Sequence, residues 1–212
     1  GRGVAAPPIA VIAMGRWGGR ELSYSSDADA LIVIGTSDDP DAARAALSVV
    51  TTLRRLLAQP GPDPALELDL DLRPEGKGGP MVRTLASYAA YYAKWASTCE
   101  AQALQRAGVG AGDRALAAEF LASIDDVRYP EGGLTAKQVI EIRKLKARME
   151  AERMPRGSDP KRNVKLGPGG LSDVEWVVQL VQLRHGHAEP SLRTPMTLSA
   201  LAAEEASGLL ER

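Results

Sequence analysis

The chain has 212 residues, 44% hydrophobic and 25% charged, with a formal net charge of −1, the make-up of a globular protein able to bury one large core or two small ones. That balance offers no bulk attraction to nucleic acid or to an anionic membrane, so neither is an expected partner. The single cysteine, Cys99, rules out an internal disulfide framework and, with only two histidines, a zinc cluster; no apolar run has bilayer-spanning length and no signal-peptide pattern opens the chain, so a cytoplasmic protein is expected.

In chain order, Ile9 to Met14 is a continuous apolar run of strand length that stops at Gly15, the pattern of a buried first strand. A glycine-rich turn, Gly15-Arg16-Trp17-Gly18-Gly19, leads to Asp27 and Asp29, which open a second apolar strand through Ile34. Asp39 as N-cap and Pro40 at the first helical position predict a helix carrying Ala46, Leu47, Val50, Leu53 and Leu57 on one face until Pro60. After a proline-rich loop, Ala65 to Pro74 alternates leucines with Glu67, Asp69, Asp71 and Arg73, predicting a half-buried strand with an acidic face.

Glu75 to Pro80 is a glycine-rich turn carrying Lys77, and Thr84 to Ala107 predicts one long helix closed by Gly108-Val109-Gly110. A domain boundary is placed there, giving residues 1–108 and 109–212. Beyond it the pattern is helical throughout: Asp113 to Ile124, Thr135 to Met154 and Ser172 to His187, the last two opened by capping boxes, Thr135 with Gln138 and Ser172 with Glu175. A basic loop, Pro155 to Gly170, joins them, and the final Leu209 to Arg212 still reads as helix, as in a piece of a longer protein.

Alternate residues of a strand share a face, so Asp27 and Asp29 project together, and two carboxylates that close call for a divalent cation between them. A third carboxylate, Asp69 or Asp71, joins them if the acidic strand lies alongside. Converging carboxylates on rigid strands beside a turn that lets phosphate approach the backbone form the pattern of a phosphoryl- or nucleotidyl-transfer site. A dinucleotide fingerprint fails, because Asp27, Asp29 and a second strand arrive where its helix should run; Gly76 to Gly79 lacks the P-loop spacing.

The Gly15-to-Asp29 stretch, Asp69 with Leu72-Arg73-Pro74, the segment Glu100 to Ala107, and Lys165-Leu166-Gly167-Pro168-Gly169-Gly170 through Trp176 together resemble the glutamine synthetase adenylyltransferase family. That resemblance implies an α+β protein, with a polymerase-β-like nucleotidyltransferase α/β core followed by an all-helical domain. It implies Mg²⁺ on Asp27, Asp29 and Asp69, which are also the catalytic carboxylates, and ATP as substrate on a nucleotide-binding turn of Gly15, Gly18, Gly19 and Ser26. Asp71 stands where the family often has arginine, so the resemblance selects Asp69 where chemistry alone allows either.

Lys165 is singled out from a basic run because its loop ends at a helix N-terminus, which favours anions. The implied reaction is transfer of AMP to a tyrosine of glutamine synthetase, with a nitrogen-signal regulatory protein as a further partner. Arg16-Trp17 and the Ser26-to-Ala30 stretch resemble the adenylating half of the family's long chains. Lys165 to Gly170 resembles the half that removes AMP by phosphorolysis. Adenylation is the reading adopted, with removal as its alternative and a non-catalytic nucleotide- or regulator-binding module as a second one.

Overall fold

The computed structural model describes residues 6–24, 26–36, 41–155, 157 and 159–210. In order the elements are β1 (Ile9–Ala13), the single-turn helix α1 (Gly15–Gly18), β2 (Ala28–Ile34), α2 (Ala42–Leu57), β3 (Leu68–Asp69), β4 (Arg83–Thr84), α3 (Leu85–Trp95), α4 (Thr98–Leu104), β5 (Gly108–Gly112), α5 (Arg114–Ser123), α6 (Asp125–Arg128), α7 (Ala136–Arg153), α8 (Leu171–His185) and α9 (Thr197–Ala206), with short 3₁₀ turns between some of them. The chain divides into two compact units: Gly1–Ala96 with Arg106–Asp125, and Ser97–Gln105 with Asp126–Arg212. Helix α4 therefore belongs with the later helices, although β5 and α5 return to the first unit.

The first unit is built on a mixed sheet in the order β3-β2-β1-β5, with β4 also pairing with β2. β1 and β2 are antiparallel, from Ile9 opposite Ile34 to Ala13 opposite Ala30. β3 and β4 both run parallel to β2, and Asp29 lies in register with Asp69. On one face Ala30, Ile32 and Ile34 pack with Ala46 and Val50 of α2 and with Leu68 and Leu70. On the other lie α3 and α5, whose Tyr88 and Phe120 rings meet edge to face at 5.1 Å. Layers on both faces explain why β1 and β2 are continuous apolar runs rather than alternating ones. The Tyr88 hydroxyl donates to the Ile32 carbonyl at 3.3 Å, and burial holds this phenol well above its ordinary range, against the pull of Arg83 and Arg73.

The structure departs from three expectations over residues 65–112. The strand expected over residues 65–74 is paired only at Leu68 and Asp69. Just beyond, the Asp71 N–H turns back to the Asp69 carboxylate at 2.6 Å and the Arg73 N–H to the Leu70 carbonyl at 3.2 Å, so the ladder ends. The single helix expected over 84–107 is two: α3 stops at Ala96, whose backbone leaves the helical region, and Ser97 starts α4 with a capping box to Glu100. Gly108-Val109-Gly110 does not close a helix but enters β5, paired antiparallel with β1. The N-cap expected at Asp39, with Pro40, lies outside the described residues, as do Ser25, Arg156 and the final Glu211-Arg212.

The second unit contains α4 and α7 to α9 and, among its described residues, no strand. Ala101, Ile142 and Leu183 form its buried centre with Val127, Leu134, Trp176 and Leu180 around them. The buried Gln182 amide is anchored: its side chain donates to the carbonyls of Leu192 and Thr194, each at 2.7 Å. Thr135 and Gln138 form the expected capping box of α7. Ser172 does not cap α8, whose N-cap is Gly170 with Ser172 already inside the first turn. No helix among the described residues is long and apolar enough to cross a membrane.

Candidate functional site

At the end of β1 the Met14 N–H donates to the Asp29 carbonyl at 2.8 Å, tying the turn to β2. Gly15 follows with φ +51°, and the chain closes α1 through Gly18 N–H to the Met14 carbonyl at 2.8 Å and Gly19 N–H to the Gly15 carbonyl at 3.2 Å. A Cβ at Gly15 would lie 2.4 Å from the Asp29 carboxylate oxygen, and one at Gly18 would lie 1.7 Å from the Arg106 carbonyl oxygen. At Gly18 only hydrogen fits, and at Gly15 a methyl would displace the Asp29 carboxylate, so the glycines let the turn lie directly on Asp29 at one end and on the Arg106 main chain at the other.

Asp27 stands at the mouth of β2 and Asp29 within it, with buried Ala28 between them facing the α2 layer. The parallel register of β2 with β3 delivers Asp69 beside Asp29. One carboxylate oxygen from each of Asp27, Asp29 and Asp69 lies within 4.8 Å of the others, the first exposed and the other two half-buried. Asp69 is held by the hydrogen bond it accepts from Asp71 N–H, and the strands are locked just upstream by Ala28 N–H to the Glu67 carbonyl at 2.8 Å. Asp71 points its charge elsewhere, to Arg73 and Lys77, each at 3.3 Å.

Three like charges at that separation repel, and a hard divalent cation with oxygen preference is the compensation their chemistry fits. An all-carboxylate set suits Mg²⁺ or Mn²⁺ and lacks the nitrogen and sulfur ligands typical of zinc. Thus the first unit gathers Asp27, Asp29, Asp69 and Gly15, with Gly18 and Gly19 in the same turn. Ser26 directly precedes Asp27, its N–H bonded to the Ser23 carbonyl at 3.1 Å and its hydroxyl to the Ser23 hydroxyl. Lys165 belongs to the second unit: its side chain is exposed, its N–H donates to the Asn163 side chain at 3.0 Å, and its carbonyl accepts from Ser172 N–H at 3.0 Å.

Two buried arginines were missed by sequence reasoning. The Arg73 guanidinium donates to the carbonyls of Gly79, Leu70 and Lys77, knitting together the loop that follows Asp69. Arg106 donates through Nε to the Gly15 carbonyl at 2.9 Å and pairs with Glu21 at 2.6 Å. Each stood inside a motif that was visible, Leu72-Arg73-Pro74 and Glu100 to Ala107. Nothing in local periodicity marks an arginine as turned inward, since such a side chain normally stays at the surface.

The sequence profile described as glutamate-ammonia ligase adenylyltransferase matches residues 2–123, and that described as GlnD PII-uridylyltransferase matches residues 142–212. The bifunctional glutamine synthetase adenylyltransferase/adenylyl-removing enzyme of Cutibacterium acnes is 60% identical over 97% of this chain and 21% of its own length. Its counterparts are 57% identical in Streptomyces coelicolor, over 95% of this chain and 20% of theirs, and 52% identical in Mycobacterium avium, over 99% and 21%. This chain spans about a fifth of the length of these curated relatives. With more than half of its residues matched by the first profile, the chain belongs to the glutamate-ammonia ligase adenylyltransferase family.

Proposed function

We propose that the chain is a polymerase-β-like nucleotidyltransferase unit that moves AMP from Mg-ATP to a tyrosine of glutamine synthetase. The observation that carries this reading is the convergence of the Asp27, Asp29 and Asp69 oxygens, within 4.8 Å of one another, beside the side-chain-free surface of Gly15. Asp27, Asp29 and Asp69 hold the cation, which when bound neutralises phosphate charge at the reacting centre. Gly15, Gly18 and Gly19 let the triphosphate approach the backbone, with Ser26 at the edge of the turn. The phenolic oxygen bonds to the α-phosphorus as the bond to the β-phosphate breaks; pyrophosphate leaves, and Asp69 receives the phenolic proton.

Removal of AMP is the second reading, favoured by the Lys165-to-Gly170 segment: phosphate attacks the AMP phosphorus, the bond to the tyrosyl oxygen breaks, that oxygen takes up a proton, and ADP is released. The names of the relatives carry both activities, and one assay separates them. Glutamine synthetase incubated with the chain, ATP and Mg²⁺ gains the mass of AMP under the first reading. Modified glutamine synthetase incubated with phosphate loses that mass under the second. Neither change, or a gain that persists in Asp27→Asn, overturns the transferase assignment. ATP binding that survives both metal removal and Asp69→Asn would instead mark a non-catalytic binding module.

A further inference from the structure

Arg106 is almost wholly buried, and two of its polar contacts are directed at the glycine turn and the residue that closes it. Its Nε donates to the Gly15 carbonyl at 2.9 Å, and its terminal nitrogen meets the Glu21 carboxylate at 2.6 Å. Glu21 is itself the residue that closes the turn, its N–H donating to the Arg16 carbonyl at 2.8 Å. The main chain of Arg106 fills the space where a Gly18 side chain would stand, its carbonyl oxygen 1.7 Å from that Cβ position. Arg106 thus grips both ends of the turn, by side chain at Gly15 and by main chain at Gly18. Two residues later Gly108 pairs with Ala13, so the grip is anchored to β1.

A buried ion pair is a costly way to fill space, and an apolar side chain often stabilises as well or better. What an apolar residue cannot do is fix the direction of a carbonyl. The Gly15 peptide has the conformational freedom of glycine, and its Cα lies against the Asp29 carboxylate. Orienting that peptide sets the backbone surface offered to a phosphate without touching the carboxylates.

We propose that Arg106, held by Glu21, is the positioning residue that pre-sets the glycine turn for the triphosphate of the nucleotide. This rests on the reading of that turn as the nucleotide-binding segment. The clamp acts on nucleotide affinity through the backbone of Gly15 to Gly19 and leaves the cation site on Asp27, Asp29 and Asp69 in place.

The test compares the chain with Arg106→Met, Arg106→Lys and Glu21→Gln in three measurements: the dissociation constant for Mg-ATP, Mn²⁺ affinity without nucleotide, and amide hydrogen exchange at residues 15–21. Loss of a charge-assisted hydrogen bond predicts Mg-ATP binding weakened about 10- to 100-fold in Arg106→Met. Mn²⁺ affinity should stay within about threefold, exchange at the turn should rise, and Arg106→Lys should recover part of the ATP affinity. Unchanged ATP affinity in Arg106→Met, or parallel loss of ATP and Mn²⁺ binding, overturns the clamp. Should Arg106→Met fail to fold, Glu21→Gln decides by the same split. A wild-type chain that binds no Mg-ATP overturns the nucleotide reading and the clamp with it, whereas wild-type binding with an unaffected Arg106→Met overturns the clamp alone.

Discussion

Gly15→Ala perturbs the point where the turn meets the carboxylates. Its φ of +51° is open to glycine, but an alanine there costs about 1–2 kcal/mol. The new methyl would also stand 2.4 Å from the Asp29 carboxylate oxygen. Relieving that contact swings the carboxylate off its rotamer at about 0.5–1.5 kcal/mol. The first unit should therefore lose about 1.5–3.5 kcal/mol, read by chemical denaturation and by amide exchange in β1 and β2. A ligand pushed out of place should also weaken Mn²⁺ binding by about tenfold or more. Gly78→Ala is the control, because no atom lies within 4 Å of its Cβ position, and it should change stability by less than about 0.5 kcal/mol. A Gly15→Ala protein as stable as the control, with Mn²⁺ affinity within about twofold of wild type, would refute the packing of the turn on Asp29.

Asp69→Asn should abolish metal-dependent AMP transfer by about a hundredfold or more, whereas Asp71→Asn, which loses only its pairs with Arg73 and the exposed Lys77, should cost less than about tenfold; AMP incorporation measures both. Arg73→Met strands the carbonyls of Lys77 and Gly79 and removes one of the two bonds to the Leu70 carbonyl, and should destabilise the first unit by about 3 kcal/mol in urea. Thr135→Ala removes the α7 capping box and should cost about 1 kcal/mol, while Ser172→Ala, which removes no N-cap, should stay within about 0.5 kcal/mol. Glu204 is buried with both carboxylate oxygens lacking hydrogen-bond partners among the described residues, and burial pushes its pKa up to about 7. A raised pKa means the folded chain holds the proton longer, so this contribution is fully present below about pH 4.5 and is lost as pH rises through about 7. Glu204→Gln should flatten that slope and gain about 1–2 kcal/mol at pH 8, and equal pH profiles for the two proteins would count against the buried charge.

Where local pattern and tertiary environment agree, the sequence was sufficient. The apolar runs of β1 and β2 are buried on both faces, and Asp27 and Asp29 fall on the face that alternation assigns them. The Ser97-to-Glu100 capping box was equally visible as Ser-x-x-Glu, but the helical spacing around it ran on and hid the break at Ala96. β5 could not be read locally. Gly108-Val109-Gly110-Ala111-Gly112 has poor strand propensity and is a strand because β1 offers it an edge. Its glycines also admit a close neighbour: a Cβ at Gly110 would lie 3.0 Å from the Trp17 ring.

The acidic strand shows the same limit. Its alternation over Ala65 to Pro74 is unbroken, yet pairing ends at Asp69 because the Asp69 carboxylate and Arg73 capture the backbone that would have continued it. Composition and spacing left Asp69 and Asp71 equivalent. The register of Asp29 with Asp69, and the turn of Asp71 toward Lys77 and Arg73, separate them in space.

The most direct test of the carboxylate site is a crystal structure of the chain with Mg²⁺ and a non-hydrolysable ATP analogue. The cation is expected on Asp27, Asp29 and Asp69, the triphosphate along Gly15 to Gly19, and Asp71 still paired with Lys77. A cation bound through Asp71, or a nucleotide seated away from the glycine turn, would contradict this arrangement.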